Sequence, residues 1–450
     1  MSYNCFMKMC RPGILAVLLL SFASCAEGEK PDDGGNQVVT VGPENERTII
    51  YQTKDGAAID LLDVTQESFG ANILSNTYSV EGFGRIVFDA PPQKIVGHVF
   101  QDCTTLVSII LPDSITEFFG ERFVRGGNFG NGDIVGQFEG CTSLESISLP
   151  SKLKSIGGCT FYGCERLKAI TIPDGVKEIG PGAFSGCGRL ASITLPNSLE
   201  TIGMFAFYQC SSLLDIIIPS KVSTIEKSTF TLCTNLISVS IPERVFRIGN
   251  SAFAGCKNLT SVSLPDALEE IEDRAFNSCS SIKTISIPDN VMMLGRNIFS
   301  GCSKLTSVIL SSKMTQLSDE LFRGCSNLKH ITIPEYITNI GREAFYGCSS
   351  LESIVLPESV TGIGENAFVG CHNPISMTIR ALNPPSIANE GANKDPEYQS
   401  FSFPAPEGIS IYVPAESVEA YKAAYNGSVK YSWRGYDYSQ CIFAIEESLQ

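Results

Sequence analysis

Eleven cysteines, Cys141, Cys164, Cys187, Cys210, Cys233, Cys256, Cys279, Cys302, Cys325, Cys348 and Cys371, follow one another at steps of 23 residues without a missed beat. Three positions before each stands a phenylalanine, from Phe138 to Phe368, and nine after most of them a proline, broken at Ser311. A period of this length marks a solenoid, in which one short unit is laid on the next. Cys103, with Phe100 and Pro112, is one further copy placed 38 residues before Cys141. The excess of 15 residues coincides with a Gly-rich stretch near 120–136 and is expected to bulge from one coil as a loop.

Within the copy that starts at Cys164, Leu167, Ile170 and Ile172 alternate with the small or polar Ala169 and Thr171, the pattern of a short strand. Pro173 ends that strand because proline has no amide hydrogen for a ladder, and Asp174-Gly175 turns the chain. Val176 and Ile179 form a second apolar set, Gly180 and Gly182 allow a bend, and Ala183-Phe184 returns to the interior before Cys187. Six or so buried side chains do not offset the ordering of a whole coil, so no coil stands alone and neighbours must share a core. The fold class is therefore a mainly-β solenoid of about twelve coils with a parallel sheet on one face and a cap at each end, an array some 55 Å long at ~4.8 Å per strand. Phe184, Cys187, Phe253, Cys256, Phe276 and Cys279 are expected at the centre of its core.

These residues resemble the BspA-type leucine-rich repeat. Its pattern is a strand ending in Ile-Pro, then Val-x-x-Ile-Gly-x-x-Ala-Phe-x-Gly-Cys-x-x-Leu. Residues 168–190, KAITIPDGVKEIGPGAFSGCGRL, follow it closely, and the resemblance runs from about residue 85 to 379. Thr160 and Thr229 replace the Ala, Glu226 and Glu272 the Gly, Ser311 the Pro and Pro374 the Leu, departures expected to weaken single coils. The resemblance implies a secreted or cell-surface binding protein used in adhesion, with no catalytic residues. Residues 46–100, including Phe69-Gly70-Ala71-Asn72 and Gly84 to Phe88, resemble the N-terminal cap of such proteins, and the repeats are placed at 101–379. Residues 380–450 read as a C-terminal cap. Its Tyr412, Tyr421, Tyr425, Tyr431, Trp433, Tyr436 and Tyr438 either pack or stack on sugars.

The N-terminus sets the compartment. Lys8 and Arg11, the apolar run Ile14 to Leu20 and the small residues before Cys25 form a secretory signal over residues 1–24, too short for a stable span. They resemble a bacterial lipobox, which makes Cys25 an acylated anchor in the lipid bilayer; the alternative is an ordinary signal peptide with an incidental cysteine. Residues 25–45 are an acidic, Gly-rich tether. Asp32 and Asp33 after Lys30 loosely resemble the export signal of surface lipoproteins, or are only a solvated linker. The expected location is the outer membrane of a Gram-negative bacterium, facing outward.

Composition narrows the function further. A net charge of -15 repels phosphate backbones, which excludes nucleic acid as a natural partner. Three histidines, His98, His330 and His372, stand at different phases of the repeat, and no G-x-S-x-G, H-E-x-x-H, P-loop or EF-hand pattern is present, so no enzymatic activity is expected. One cysteine per coil with no C-x-x-C supplies neither a zinc site nor, in a parallel stack, disulfides, and the twelve phased thiols are expected to be buried and reduced. The states of Cys159 and Cys441, outside the phase, stay open.

Two surface columns are candidates for binding. The position after the strand-ending proline is acidic in seven coils, and Glu243, Asp266 and Asp289 on three consecutive coils are the candidate ligands of a Ca2+ ion. The alternative is turn chemistry. The exposed strand positions form a nearly uncharged hydroxyl field, with Ser238, Ser240, Ser261, Ser263, Thr284 and Ser286 at its centre. It is either a soluble sheet face or a shallow platform for an extracellular protein or glycan bound by a monomer. The expected function is a non-enzymatic adhesin. A passive surface coat and glycan binding through the aromatic cap are the alternatives.

Overall fold

The computed structural model describes residues 46–61, 64–119, 121–123, 133–371, 375–387, 409–425 and 438–445, all within one compact unit, Pro43–Gln450. Each 23-residue period closes one right-sized coil with three sides. The first side is the expected strand. It runs in parallel register from coil to coil, for example Asp215 opposite Ser238 and Ser238 opposite Ser261, or Thr284 opposite Ser307. Ladder pairing lapses between Ser261–Val262 and Thr284–Ser286, while the phase of the coils continues.

The second side is also a ladder, where the sequence suggests only an apolar set. Two-residue strands pair in parallel, as in Glu178–Ile179 with Thr201–Ile202 and Arg247–Ile248 with Glu270–Ile271. Ile179, Ile202, Ile248 and Ile271 point inward, and a two-residue strand is too short to show alternation in the sequence.

The third side consists of turns that still bond between coils: the Phe161 amide donates to Ala183 O at 2.7 Å and Phe184 to Ala206 O at 2.8 Å. From Cys164 onward the turns place the residue five before each repeat cysteine in the left-handed region, Gly182 at φ 64° and Phe205 at 58°, for example. Gly180 acts differently from the bend expected of it. Its φ is not positive, and a Cβ there would stand 2.5 Å from Gly158 N, so the residue is small because two coils approach closely.

The core is one continuous cluster. Phe184, Cys187, Phe253, Cys256, Phe276 and Cys279 are all fully buried. Twelve phenylalanine rings from Phe100 to Phe368 form a spine with neighbouring centroids 5.1 to 6.0 Å apart and nearly parallel planes. A second spine runs beside it. Every thiol from Cys141 to Cys371 donates to a phenylalanine carbonyl of the preceding coil, Cys164 Sγ to Phe138 O at 3.1 Å and Cys256 Sγ to Phe230 O at 3.1 Å among them. Cys103 and these eleven are free thiols, but Cys103 is only partly buried, contrary to the expectation for all twelve. It belongs to the first coil, which has no equivalent coil before it, and its thiol instead faces Asp60 O at 3.9 Å. Cys159 is buried too, its Sγ 3.9 Å from Pro181 O.

Both ends of the array are covered. Thr48–Thr53 pairs antiparallel with Leu106–Ile110, and Gly84–Phe88 and Ile73–Tyr78 extend that sheet outward. Phe69 meets Phe100 edge-on at 6.3 Å and so terminates the ring spine. At the other end Ile375–Ile379, Ile409–Val413 and Ile442–Ala444 continue the first ladder in parallel, with the helix Val418–Ala424 against them. In the insert, Glu121–Phe123 pairs antiparallel with Asp133–Val135 where a loop was expected; residues 120 and 124–132 lie outside the described set. Cys25, the signal and the tether lie outside it as well. No helix among the described residues is long and apolar enough to cross a membrane.

Candidate functional site

The outward positions of the first ladder exist because a strand alternates its faces and the inward set, Val239, Val262 and Ile285 here, is taken by the core. Ser238, Ser240, Ser261, Ser263, Thr284 and Ser286 are all exposed, and none of the six side chains hydrogen-bonds another described residue. The structure therefore brings the whole predicted group onto one face, with its donors and acceptors uncommitted. Asp215, opposite Ser238, and Lys283, directly before Thr284, bring isolated exposed charges to the middle of that face, and ion pairs lie toward its ends. Near the start, Lys168 Nζ bonds Glu145 Oε2 at 2.6 Å, which holds the Glu145 carboxyl below its ordinary range. Toward the other end Lys329 pairs with Glu352 at 3.5 Å.

An apolar margin also borders the hydroxyls, and the sequence reading missed part of it. Ile217, opposite Ser240 in register, is 74% exposed, and Leu214 and Ile237, each directly before its strand, are about half exposed. Their signal was the position itself: four residues after the cysteine, most other coils carry a charged or hydroxyl side chain.

The acidic turn column is arranged differently. Asp289 Oδ1 accepts the Ser312 amide at 2.8 Å, and Asp113 Oδ1 accepts the Ser151 amide at 2.6 Å. Two breaks in the acidic column are thus filled by serines whose amides take the carboxylate of the preceding coil. The Ser312 bond lowers the Asp289 pKa. Glu243, Asp266 and Asp289 are exposed, and no group of three or more His, Cys, Asp or Glu side chains among the described residues is placed to hold a metal ion. The geometry thus gathers no calcium cage here, and turn capping accounts for Asp289.

In the C-terminal cap, Tyr421, Tyr425 and Tyr438 are buried. Tyr421 donates its hydroxyl to Ala381 O at 2.7 Å and Tyr425 to Pro385 O at 3.1 Å, so these rings pack the end of the core. Tyr412 lies against Phe443 at 5.7 Å. Tyr431, Trp433 and Tyr436 lie outside the described residues.

With this geometry in view, the comparison with known proteins is direct. The profile described as the BspA type leucine rich repeat region matches residues 68–128, 135–260 and 246–375. The chain belongs to the BspA-type leucine-rich repeat family. Among solved structures, a leucine-rich repeat protein from Bacteroides ovatus is similar over 91% of this chain and 100% of its own, at 25% identity and a TM-score of 0.57. A leucine rich cell surface protein from Faecalibacterium prausnitzii is 30% identical, covering 72% of this chain and 88% of its own, with a TM-score of 0.45. No curated protein matches the chain. Within the BspA-type repeat, the Phe and Cys columns are thus the two spines, and the strand face is what each coil leaves for solvent or a partner.

Proposed function

We propose that this protein is a non-enzymatic cell-surface adhesin that binds an extracellular protein or glycan across the first ladder. The observation that carries this reading is the row of uncommitted hydroxyls from Ser238 to Ser286, held on the outward side of consecutive coils and bordered by Leu214, Ile217 and Ile237. Neutral donors and acceptors suit glycan hydroxyls and backbone amides, and the apolar margin suits the faces of sugar rings or aliphatic side chains. Binding through such a face depends little on salt. The Faecalibacterium relative, described as a cell surface protein, supports the location. The anchor in this reading is an acylated Cys25, and Cys25→Ala is expected to move the protein from the membrane fraction to the soluble one; retention in the membrane would refute that anchor.

The binding test is the triple variant Ser238→Lys, Ser261→Lys, Thr284→Lys, which places long like charges across the face without entering the core. Binding of the folded variant to arrayed glycans and extracellular matrix proteins is expected to fall at least about tenfold, the equivalent of ~1.4 kcal/mol. Unchanged binding by a variant with a native circular dichroism spectrum would remove the first ladder from the reading.

A further inference from the structure

The second ladder carries a patch of another kind. Phe246, Glu269 and Met292 occupy one place in three consecutive coils, and Arg247, Glu270 and Met293 occupy the next. Phe246 is 43% exposed, Met292 61% and Met293 57%. Large apolar side chains exposed side by side need a reason, because a solvated sheet face has no use for them. An open depression of about 880 Å³ lies here, lined by Glu269, Glu270, Met292 and Met293 among others.

The depression coincides with a missing rung. The amides of Glu269 and Glu270 both reach Phe246 O, at 2.8 and 3.1 Å. One coil later, Met292 and Met293 make no such bond to Glu269, and a single bridge, Ile271 opposite Leu294, keeps the ladder going. Elsewhere the same place carries two-residue strands, such as Gln316–Leu317 and Asn339–Ile340.

The charges around it divide into committed and uncommitted. Glu272 takes Arg247 Nη1 at 2.7 Å and the Asn250 amide at 2.8 Å. Asp273 accepts the Arg296 amide at 2.7 Å, and Arg247 is neutralised between Glu226 and Glu272. The side-chain carboxylates of Glu269 and Glu270 have no hydrogen bond or ion pair with any described residue. Two idle carboxylates therefore stand beside two exposed thioethers and a phenyl ring.

We infer that this depression docks a basic segment of a partner protein, its Lys or Arg side chains on Glu269 and Glu270 and its apolar side chains on Met292, Met293 and Phe246. Charge complementarity selects the occupant. The whole chain carries -15, which repels nucleic acid and anionic membranes and steers cationic partners. A second copy meeting this patch about a two-fold axis would set the same carboxylates against each other. Unbranched, polarizable methionines adapt to differently shaped apolar side chains, which suits a segment rather than one small molecule. The site stands on the other ladder from the hydroxyl face, so loss of one leaves the other intact.

The experiment uses the full mature protein and a fluorescein-labelled peptide of alternating lysine and leucine, read by anisotropy. Binding is expected, with an affinity that falls as salt is raised. A peptide of alternating lysine and serine, and one of alternating glutamate and leucine, should each bind at least about tenfold more weakly. Glu269→Gln with Glu270→Gln, and separately Met292→Ser with Met293→Ser, should each weaken the lysine–leucine peptide by a similar factor. Hydrogen exchange on the unsubstituted protein gives a readout independent of variant folding: the peptide should protect residues 268–295. Equal binding of all three peptides, full affinity in the Glu269→Gln, Glu270→Gln variant, protection confined to other coils, or self-association abolished by the methionine substitutions would each overturn the proposal.

Discussion

Each cysteine in the column from Cys141 to Cys371 does two things at once: it fills space in the core and donates its S–H to a carbonyl one coil away. A buried alanine would do only the first. Burial pushes these thiols up, Cys233 and Cys371 to about 12, whereas an unfolded thiol ionises near ~8.5. The folded state therefore favours the protonated form, so this stability is fully present below about pH 8.5 and is lost as pH rises toward 12. Thermal melts followed upward from neutral pH are expected to show a steep fall through that window, less steep in a variant with Cys210, Cys233, Cys256 and Cys279 all changed to alanine. The eleven thiols should also resist alkylation until the chain is unfolded. Rapid native alkylation of several of them, or equal pH dependence in the variant, would contradict the thiol spine.

Where single elements depart from the repeat, the structure supplies local partners. Glu226 and Glu272 replace the small glycine and were expected to weaken their coils. Instead Arg247, on the two-residue strand between them, donates to Glu226 at 2.9 and 3.0 Å and to Glu272 at 2.7 Å. Thr224 adds a hydroxyl bond to Glu226 at 2.8 Å. The three side chains are about a quarter to a third exposed, so the triad is screened only in part. Arg247→Met leaves two neighbouring carboxylates without a cation and should destabilise this stretch by about 1–2 kcal/mol, between the values for exposed and buried pairs. Hydrogen exchange of residues 224–272 measures it locally. Adding Glu226→Gln and Glu272→Gln should recover part of the loss, and no faster exchange in Arg247→Met would show the triad to be idle.

The array as a unit behaves according to its one-dimensional contacts. Coils couple only to neighbours, and the caps at both ends keep the first and last core faces from water. Phe253 stands mid-spine, stacked on Phe230 at 5.3 Å and on Phe276 at 5.4 Å. Phe253→Ala removes a fully buried ring and should cost about 3–5 kcal/mol. Because that loss falls in the middle, urea unfolding is expected to split into more than one step, with the flanking halves melting separately. A single transition at the unsubstituted midpoint would show that the ring is not where the coils communicate.

The 23-residue period, the Phe and Cys columns and the strand ending at proline were enough to establish a solenoid, its phase and its core, because a repeat writes the same spatial demand at the same place in every coil. The hydroxyl face followed from the same phase: once Val239 and Val262 are inward, Ser238, Ser240, Ser261 and Ser263 must be outward. What alternation cannot reveal is a strand of two residues, so the second ladder emerged only when neighbouring coils were laid side by side. The same holds for every contact made across coils: the carboxylate of Asp289 on the Ser312 amide, Arg247 between its two glutamates, and the missing rung at Met292–Met293. Each joins residues some twenty or more positions apart, and only stacking decides which side chains then face each other.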